Sequence, residues 1–310
     1  MTNDAVWQKI PDDARGGSRE QPRLITPALL RSWTLPEPSG TKYSRGQVLV
    51  VGGDRTTPGA AMLAGLSSLR MGAGRLSLAV AASIAAQVAV AVPESGATSL
   101  ADDSEGAITG EQVEQHLTKD LERADCVLVG PGLGNPDGAG RLLSEIVRLL
   151  PDDVPIVLDA FGATVLPDLS TAERDRLSGR LVLTPNRGEL AHLLDEDEVD
   201  QDRVAEGIID AAGRYGAAVG CDTWITDGDG LWQVTTGDTG LGTSGSGDVV
   251  AGAVAGLLSR GAGLVQSLVW GKYVHAAAGD ALAAQFGRVG YLASEIPPEL
   301  PLVMRTLRGD

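Results

Sequence analysis

Residues 242–248 read GTSGSGD and run directly into VVAGAVAGLLSRG. The second segment is apolar, rich in Ala, Leu and other small residues, and free of Pro. It predicts a buried helix. A glycine-rich loop that opens a helix aims unpaired backbone N–H groups, and the positive end of the helix dipole, at whatever sits in the loop. That is a ready site for phosphate or another anion. Asp248 is the odd residue there. A carboxylate beside an anion site needs a chemical task, such as taking a proton from a hydroxyl that attacks phosphorus. The plain alternative is an N-cap aspartate, worth about 1 kcal/mol. The glycines and hydroxyl residues packed before Asp248 favour the phosphate site.

The rest of the chain reads as a parallel α/β protein. Short apolar runs are predicted as strands at 47–53 (QVLVVGG), 75–81 (RLSLAVA), 125–129 (DCVLV), 154–160 (VPIVLDA) and 180–185 (RLVLTP), with helical stretches between most of them. Nearly continuous apolar strands separated by helices mean a mainly parallel sheet covered on both faces. PGAAMLAGLSSLR (58–70) reads as a helix opened by proline, and Thr26-Pro27 as the cap and first turn of a short helix. Residues 1–22 carry charge, Gly and Ser without an apolar period and read as a flexible segment. Residues 23–310 read as a single domain. Gly, Asp, Pro or Asn follows several of the apolar runs, and ligands of open α/β sheets lie at the carboxyl ends of the strands. The plain alternative is that such turns need Gly and Asn anyway.

Composition narrows the partners. With 310 residues, 43% of them hydrophobic, the chain can bury a large core. A net charge of −16 argues against nucleic acid and anionic lipid. The two cysteines, Cys126 and Cys221, adjoin apolar runs and read as buried free thiols. Three dispersed histidines and no CxxC argue against zinc. No signal segment or membrane span is evident, so a cytoplasmic location is expected. The GxGxG of Gly130, Gly132 and Gly134 is not a dinucleotide fingerprint, and GxxxxGK[ST] is absent. The phosphate loop must therefore work through backbone amides.

These loops resemble a known family. GTSGSGDVVAGAVAGLL is similar to the GxGD segment of the ribokinase-like superfamily. KYSRGQVLVVGGDRTTPGAAMLAGLSSLRMGAGRLSLAV (42–80), VLVGPGLG (127–134), VPIVLDAFG (154–162), LVLTPNRGEL (181–190) and YLASEIP (291–297) occur in the order found in ADP-dependent NAD(P)H-hydrate dehydratases. The resemblance covers roughly residues 40–300. It implies a ribokinase-like three-layer αβα sandwich with a mainly parallel central sheet. It also implies a hydro-lyase that uses ADP as phosphoryl donor to the C6 hydroxyl of hydrated NADH or NADPH, releases AMP, and eliminates phosphate.

By that resemblance, Asp248 is the base on the C6 hydroxyl. Thr243, Gly245, Ser246 and Gly247 hold the phosphoryl group, and Gly220 and Thr223 line the nucleotide. Ala60, Gly132, Gly134, Asn186 and Asp159 face the hydrated cofactor. Glu189, with Asn186, organises Mg²⁺ and its water indirectly, although a helix N-terminal acid is nearly as good a reading of Glu189. Gly132 and Gly134 are read as places where a side chain would block the substrate. A homo-oligomer, often a tetramer in the resembled family, is implied as well: in residues 262–285, Leu264, Leu268, Trp270, Val274 and Ala278 follow a helical pattern, part of which must pack on the sheet, and the Ala-rich remainder is the candidate face for a neighbouring subunit.

Two positions depart from the family pattern. Phe161 replaces a second acid after Asp159. Val219 stands where a Lys-Gly-x-x-Thr segment has its lysine, and Arg187 or Lys42 are candidates to replace the lost cation. Loss of a cation beside ADP is expected to weaken binding or turnover. Two other functions fit GSGD chemistry: a kinase of a small vitamin-precursor or sugar alcohol, and a non-catalytic nucleotide-binding protein.

Overall fold

A computed structural model describes residues 10–37 and 40–308. Ten strands form one sheet: β1 (Arg23–Ile25), β2 (Gln47–Val51), β3 (Arg75–Ala81), β4 (Ser95–Leu100), β5 (Cys126–Val129), β6 (Ile156–Leu158), β7 (Leu181–Leu183), β8 (Ala217–Cys221), β9 (Trp224–Thr226) and β10 (Leu231–Val234). Their order is β1-β10-β9-β8-β7-β6-β5-β2-β3-β4. Every pairing is parallel except those of β9, which runs against both β8 and β10. The mainly parallel sheet expected from the apolar runs is therefore present. β3 matches its predicted run, and the other four strands are one to four residues shorter than theirs, which include flanking turn residues.

The helices are α1 (Pro27–Ser32), α2 (Pro58–Arg70), α3 (Ala85–Ala91), α4 (Val113–Leu121), α5 (Pro136–Leu149), α6 (Phe161–Thr164), α7 (Thr171–Leu177), α8 (Arg187–Leu194), α9 (Val204–Tyr215), α10 (Ser246–Ser259), α11 (Leu264–Phe286) and α12 (Ile296–Arg308). Strand side chains alternate between two cores, as the two-residue period requires. Val48, Val50, Cys126, Leu128 and Val182 join α2, α10, α11 and α12. Leu49, Val51, Val127, Val129, Leu181 and Leu183 join α4, α5, α8 and α9. The result is an αβα sandwich, with both faces of the sheet covered.

Small residues let the first layer sit close. A Cβ on Gly252 would lie 2.0 Å from Ala64 O, and one on Gly256 would lie 2.5 Å from Ser68 O. Gly252 and Gly256, one turn apart on α10, thus press on Ala64 and Ser68, one turn apart on α2. Backbone-to-backbone packing of this kind fixes α10, and so fixes the loop in front of it.

The N-terminal boundary needs correction. Residues 10–22 pack rather than hang free, while residues 1–9 of that expected flexible segment lie outside the described residues. Ala14 is fully buried, and its carbonyl accepts from Trp232 Nε1 at 3.0 Å. Gly17 and Leu231 exchange backbone hydrogen bonds of 2.9 and 3.0 Å. Trp232 also stacks on Trp33, with centroids 6.2 Å apart. The segment lacks an apolar period because it contributes backbone, not side chains, to the edge of the sheet.

The patterned apolar residues of α11 pack inside the chain. Leu264, Leu268, Trp270, Val274 and Ala278 are all buried within this one chain. No helix among the described residues is long and apolar enough to cross a membrane. The long apolar stretch 251–271, AGAVAGLLSRGAGLVQSLVWG, is split between α10 and α11. Cys126 and Cys221 are free and buried, as expected, and burial pushes both thiols up, that of Cys221 to about 12.

Candidate active site

The carboxyl ends of the parallel strands share one edge of the sheet. Gly52-Gly53 follow β2, Gly130 follows β5, Asp159 follows β6, Thr184 to Asn186 follow β7, and Asp222-Thr223 turn from β8 into β9. Because β10 runs parallel to β8, the chain leaving it arrives at this same edge and enters α10 there.

The loop 242–248 opens α10, as the sequence predicts. Gly245 is the N-cap of α10, with φ +91°, and Ser246 is its first residue. The first helical bond runs from Val249 N–H to the Gly245 carbonyl at 3.2 Å. The amides of Gly247 and Asp248 precede it and have no intrahelical acceptor. Gly247 is exposed, and a Cβ there would meet nothing within 4 Å. Open space therefore lies directly over the free amides. Asp248 is not the cap. It stands in the first turn, half-buried, and its carboxylate takes no hydrogen bond from the described residues. Burial, reinforced by the Glu189 charge, pushes its pKa up to about 6.

The remaining predicted residues gather at this edge, but several hold the protein itself. Gly132 (φ +73°) leaves no room for a side chain, since its Cβ would lie 2.4 Å from Thr57 O. Thr57 Oγ1 donates to the Gly132 carbonyl at 2.8 Å, and Asp54 N–H donates to it at 2.9 Å. Gly134 N–H donates to Asp54 Oδ2 at 2.8 Å. Ala60 lies against Gly132, so the β2–α2 and β5–α5 loops form one wall. At Gly132 the obstacle to a side chain is the protein's own backbone, not a substrate, and that corrects the reason given for this glycine. Gly245 is constrained likewise, by Leu63 at 2.7 Å and its positive φ.

Asp159 is 6% exposed and accepts from Thr184 Oγ1 at 2.7 Å, so it forms the floor of the site. Burial holds its carboxyl well above the usual range. Asn186 and Glu189 close a capping box on α8: Glu189 N–H donates to Asn186 Oδ1 at 2.9 Å, Asn186 N–H to Glu189 Oε2 at 3.0 Å, and Asn186 Nδ2 to Glu189 Oε1 at 2.7 Å. The helix N-terminal acid reading of Glu189 is thus realised. Burial still raises its pKa, and its charge acts on Asp248. No group of three or more His, Cys, Asp or Glu among the described residues could hold a metal ion by itself.

Gly220 sits at the end of β8 and Thr223 in the exposed β8–β9 turn, beside Asp222 at φ +48°. Val219 is fully buried in the second core. Of the two expected replacements for its missing charge, Arg187 lies at this edge and Lys42 does not. Arg187 pairs with Asp222 at 3.5 Å, and Lys42 lies over the Tyr43 ring beside Gly74, at the opposite edge of the sheet.

Sequence reasoning missed Asp54, Thr184, His275 and Lys272. His275 Nε2 and Ser246 Oγ share a 3.0 Å hydrogen bond. Burial, then the Lys272 charge, depress His275 to about 3, so the ring is neutral. Lys272 was passed over as a polar interruption in an apolar helix. Asp54 directly follows the VVGG turn, and that position was its available signal.

An open α/β sheet with an anion-ready helix N-terminus and a raised aspartate at the strand ends defines a ribokinase-like protein. The fold agrees with a ribokinase-like superfamily protein from Enterococcus faecalis (TM-score 0.79, 22% identity, 93% of this chain and 97% of the other). It agrees also with an ADP/ATP-dependent NAD(P)H-hydrate dehydratase from Bacillus subtilis, crystallised with ATP and Mg²⁺ (TM-score 0.72, 23% identity, 92% and 98%). A family model described as NAD(P)H-hydrate dehydratase matches residues 48–302. An ADP-dependent (S)-NAD(P)H-hydrate dehydratase from Xanthomonas campestris is 40% identical over 92% of this chain and 97% of its own length. A bifunctional NAD(P)H-hydrate repair enzyme from Moorella thermoacetica is 34% identical over 93% of this chain, which spans only 55% of that relative. The chain belongs to the NAD(P)H-hydrate dehydratase family.

Proposed function

We propose that this protein is an ADP-dependent hydro-lyase that restores NADH and NADPH from their C6-hydrated forms. The observation that carries the reading is Asp248: half-buried, without a hydrogen-bond partner among the described residues, raised to about 6, and set beside the free amides of Gly247 and its own residue. A base with a pKa near working pH accepts a proton efficiently while remaining mostly ionised.

The chemistry follows from that placement. Asp248 takes the proton of the C6 hydroxyl as its oxygen bonds to the β-phosphorus of ADP, and AMP leaves with the bridging oxygen. The α10 amides stabilise the charge on the migrating phosphoryl group. The C6–O bond then breaks, phosphate departs, and loss of a proton from C5 restores the ring double bond. Phosphate leaves where hydroxide would not. The wall of Ala60, Gly132 and Gly134 is proposed to take the hydrated nicotinamide, while Gly220 and Thr223 take the nucleotide side. Asn186 is proposed to border the substrate, with its side chain set by Glu189.

Mg²⁺ suits a site of this kind when bound by the nucleotide phosphates and water. Magnesium keeps several waters and is commonly held through one or two carboxylates plus phosphate oxygens. Glu189 would orient one such water, and the ion would supply charge neutralisation at the phosphates. A cytoplasmic location is part of this reading. So is a homo-oligomer, for which the exposed Phe286, Val289 and Leu292, at and just beyond the end of α11, are available apolar surface. Light scattering at micromolar concentration tests that assembly.

The decisive assay follows recovery of absorbance near 340 nm from hydrated NADH or NADPH with ADP, with AMP and phosphate measured as products. Consumption of ADP with a small vitamin-precursor alcohol, and none with hydrated cofactor, overturns the reading in favour of a kinase. Nucleotide binding without turnover of any hydrated cofactor overturns it in favour of a binding protein.

A further inference from the structure

We infer that Lys272, reaching in from α11, is the cation that faces the nucleotide phosphates in this protein. The inference rests on the reading of the site as an ADP site and deepens it.

The site has an excess of carboxylates. Asp159, Glu189 and Asp248 act on one another through space, and Asp222 stands at the end of β8. Asp222 is paired with Arg187. A nucleoside diphosphate brings about three further negative charges to an edge that already holds these carboxylates, several of them buried or half-buried, so unbalanced repulsion is large. Two free amides and a helix dipole supply partial charges only. A cationic side chain at the strand ends would add a full positive charge beside any metal that arrives with the nucleotide.

Lys272 is placed to supply it. Its stem lies over Gly220, where a Cβ would come within 3.0 Å of Lys272 Cδ and 3.1 Å of Leu268 Cδ2. Gly220 thus opens the lane through which the stem passes. The ammonium acts on Asp159 at the end of β6 and on Cys221 and Asp222 at the end of β8. Three residues further along α11, about 4.5 Å of rise, His275 holds Ser246 in the phosphate loop. Lys272 therefore lies between the phosphate loop and the β8–β9 turn. Yet it forms no ion pair or hydrogen bond with the described residues. Burial keeps its pKa below the ordinary lysine range. A desolvated ammonium without a partner is costly unless a ligand completes it. Val219 sends its side chain into the second core, on the other face of the sheet. Lys272 approaches the same strand end from the first.

The test compares wild type with Lys272→Met and Lys272→Arg, using ADP and adenosine as calorimetric ligands and the ADP dependence of turnover. Loss of a charge-assisted contact to phosphate predicts an ADP affinity at least about tenfold weaker in Lys272→Met, with KM for ADP rising in parallel. Adenosine binding stays unchanged, Lys272→Arg recovers most of the ADP affinity, and the melting temperature of Lys272→Met does not fall. An ADP affinity within about threefold of wild type in Lys272→Met overturns the assignment. So does an equal loss for ADP and adenosine, which marks a packing role. If wild type itself binds no ADP, the nucleotide reading fails and takes this assignment with it; weak adenosine binding alone does not.

Discussion

The glycines of this site divide by what stands where a side chain would be. Gly132 and Gly245 face the protein's own atoms and adopt positive φ, whereas Gly247 faces open space. Gly132→Val and Gly245→Val should therefore lose stability, each by about 2 kcal/mol or more, as backbone strain and overlap add. Gly247→Val should melt near wild type and lose nucleotide affinity, because it fills the space over the free amides. Thermal melts beside ADP titrations check both, and a reversed pattern would remove Gly247 from the phosphate site. Asp248→Asn should lower turnover by 10²–10⁴-fold with ADP binding retained. The acid limb of the wild-type rate profile should fall near pH 6, where the carboxylate takes up its proton. The same substitution has a signature in stability. A carboxyl raised in the folded state gives stability that is present below about pH 4 and lost as pH rises through about 6. His275, depressed to about 3, has the opposite sign: its stability is present above pH 6.5 and lost as pH falls. In wild type the two oppose each other between pH 6 and 4. Removing Asp248 leaves His275 uncompensated, so the variant's melting temperature should fall more steeply with acid than that of wild type.

At the scale of elements, the parallel strands and α10 were legible because their cause is local: continuous apolar runs ended by turn residues, and a glycine loop before an apolar helix. What escaped notice was tertiary. Ala14 to Gly17 carry no period because, apart from the buried Ala14 methyl, they contribute backbone groups, one capping the Trp232 indole and others extending the sheet edge. A variant lacking residues 1–22 should lose the cover over Trp232 and the pairing with Leu231, and melt well below the full chain. A melting temperature equal to that of the full chain would show that the segment only rests on the surface. The Gly252–Ala64 and Gly256–Ser68 approaches were visible in sequence only as a general abundance of small residues. Which helix met which could not be read until the sheet order was known.

Across the whole molecule, the candidate site joins residues from position 54 to position 275. The sequence marked those lying in loops of recognisable pattern. Lys272 and His275 sit inside a long buried helix, where one lysine and one histidine looked like breaks in an apolar face rather than groups aimed at a distant strand end. Their role depends on α11 crossing β8 and α10 together, a relation between segments as far apart in the chain as Gly220 and His275. The uneven hydrogen bonding of α10 also gives the folded chain a built-in reporter. From Val249 onward its amides are bonded and clamped against α2, so they should exchange with deuterium only when the protein opens globally. The amides of Gly247 and Asp248, one residue earlier, should exchange within the shortest labelling time. Saturating ADP should slow those two far more than the rest of the helix, turning a boundary one residue wide into a direct measure of site occupancy.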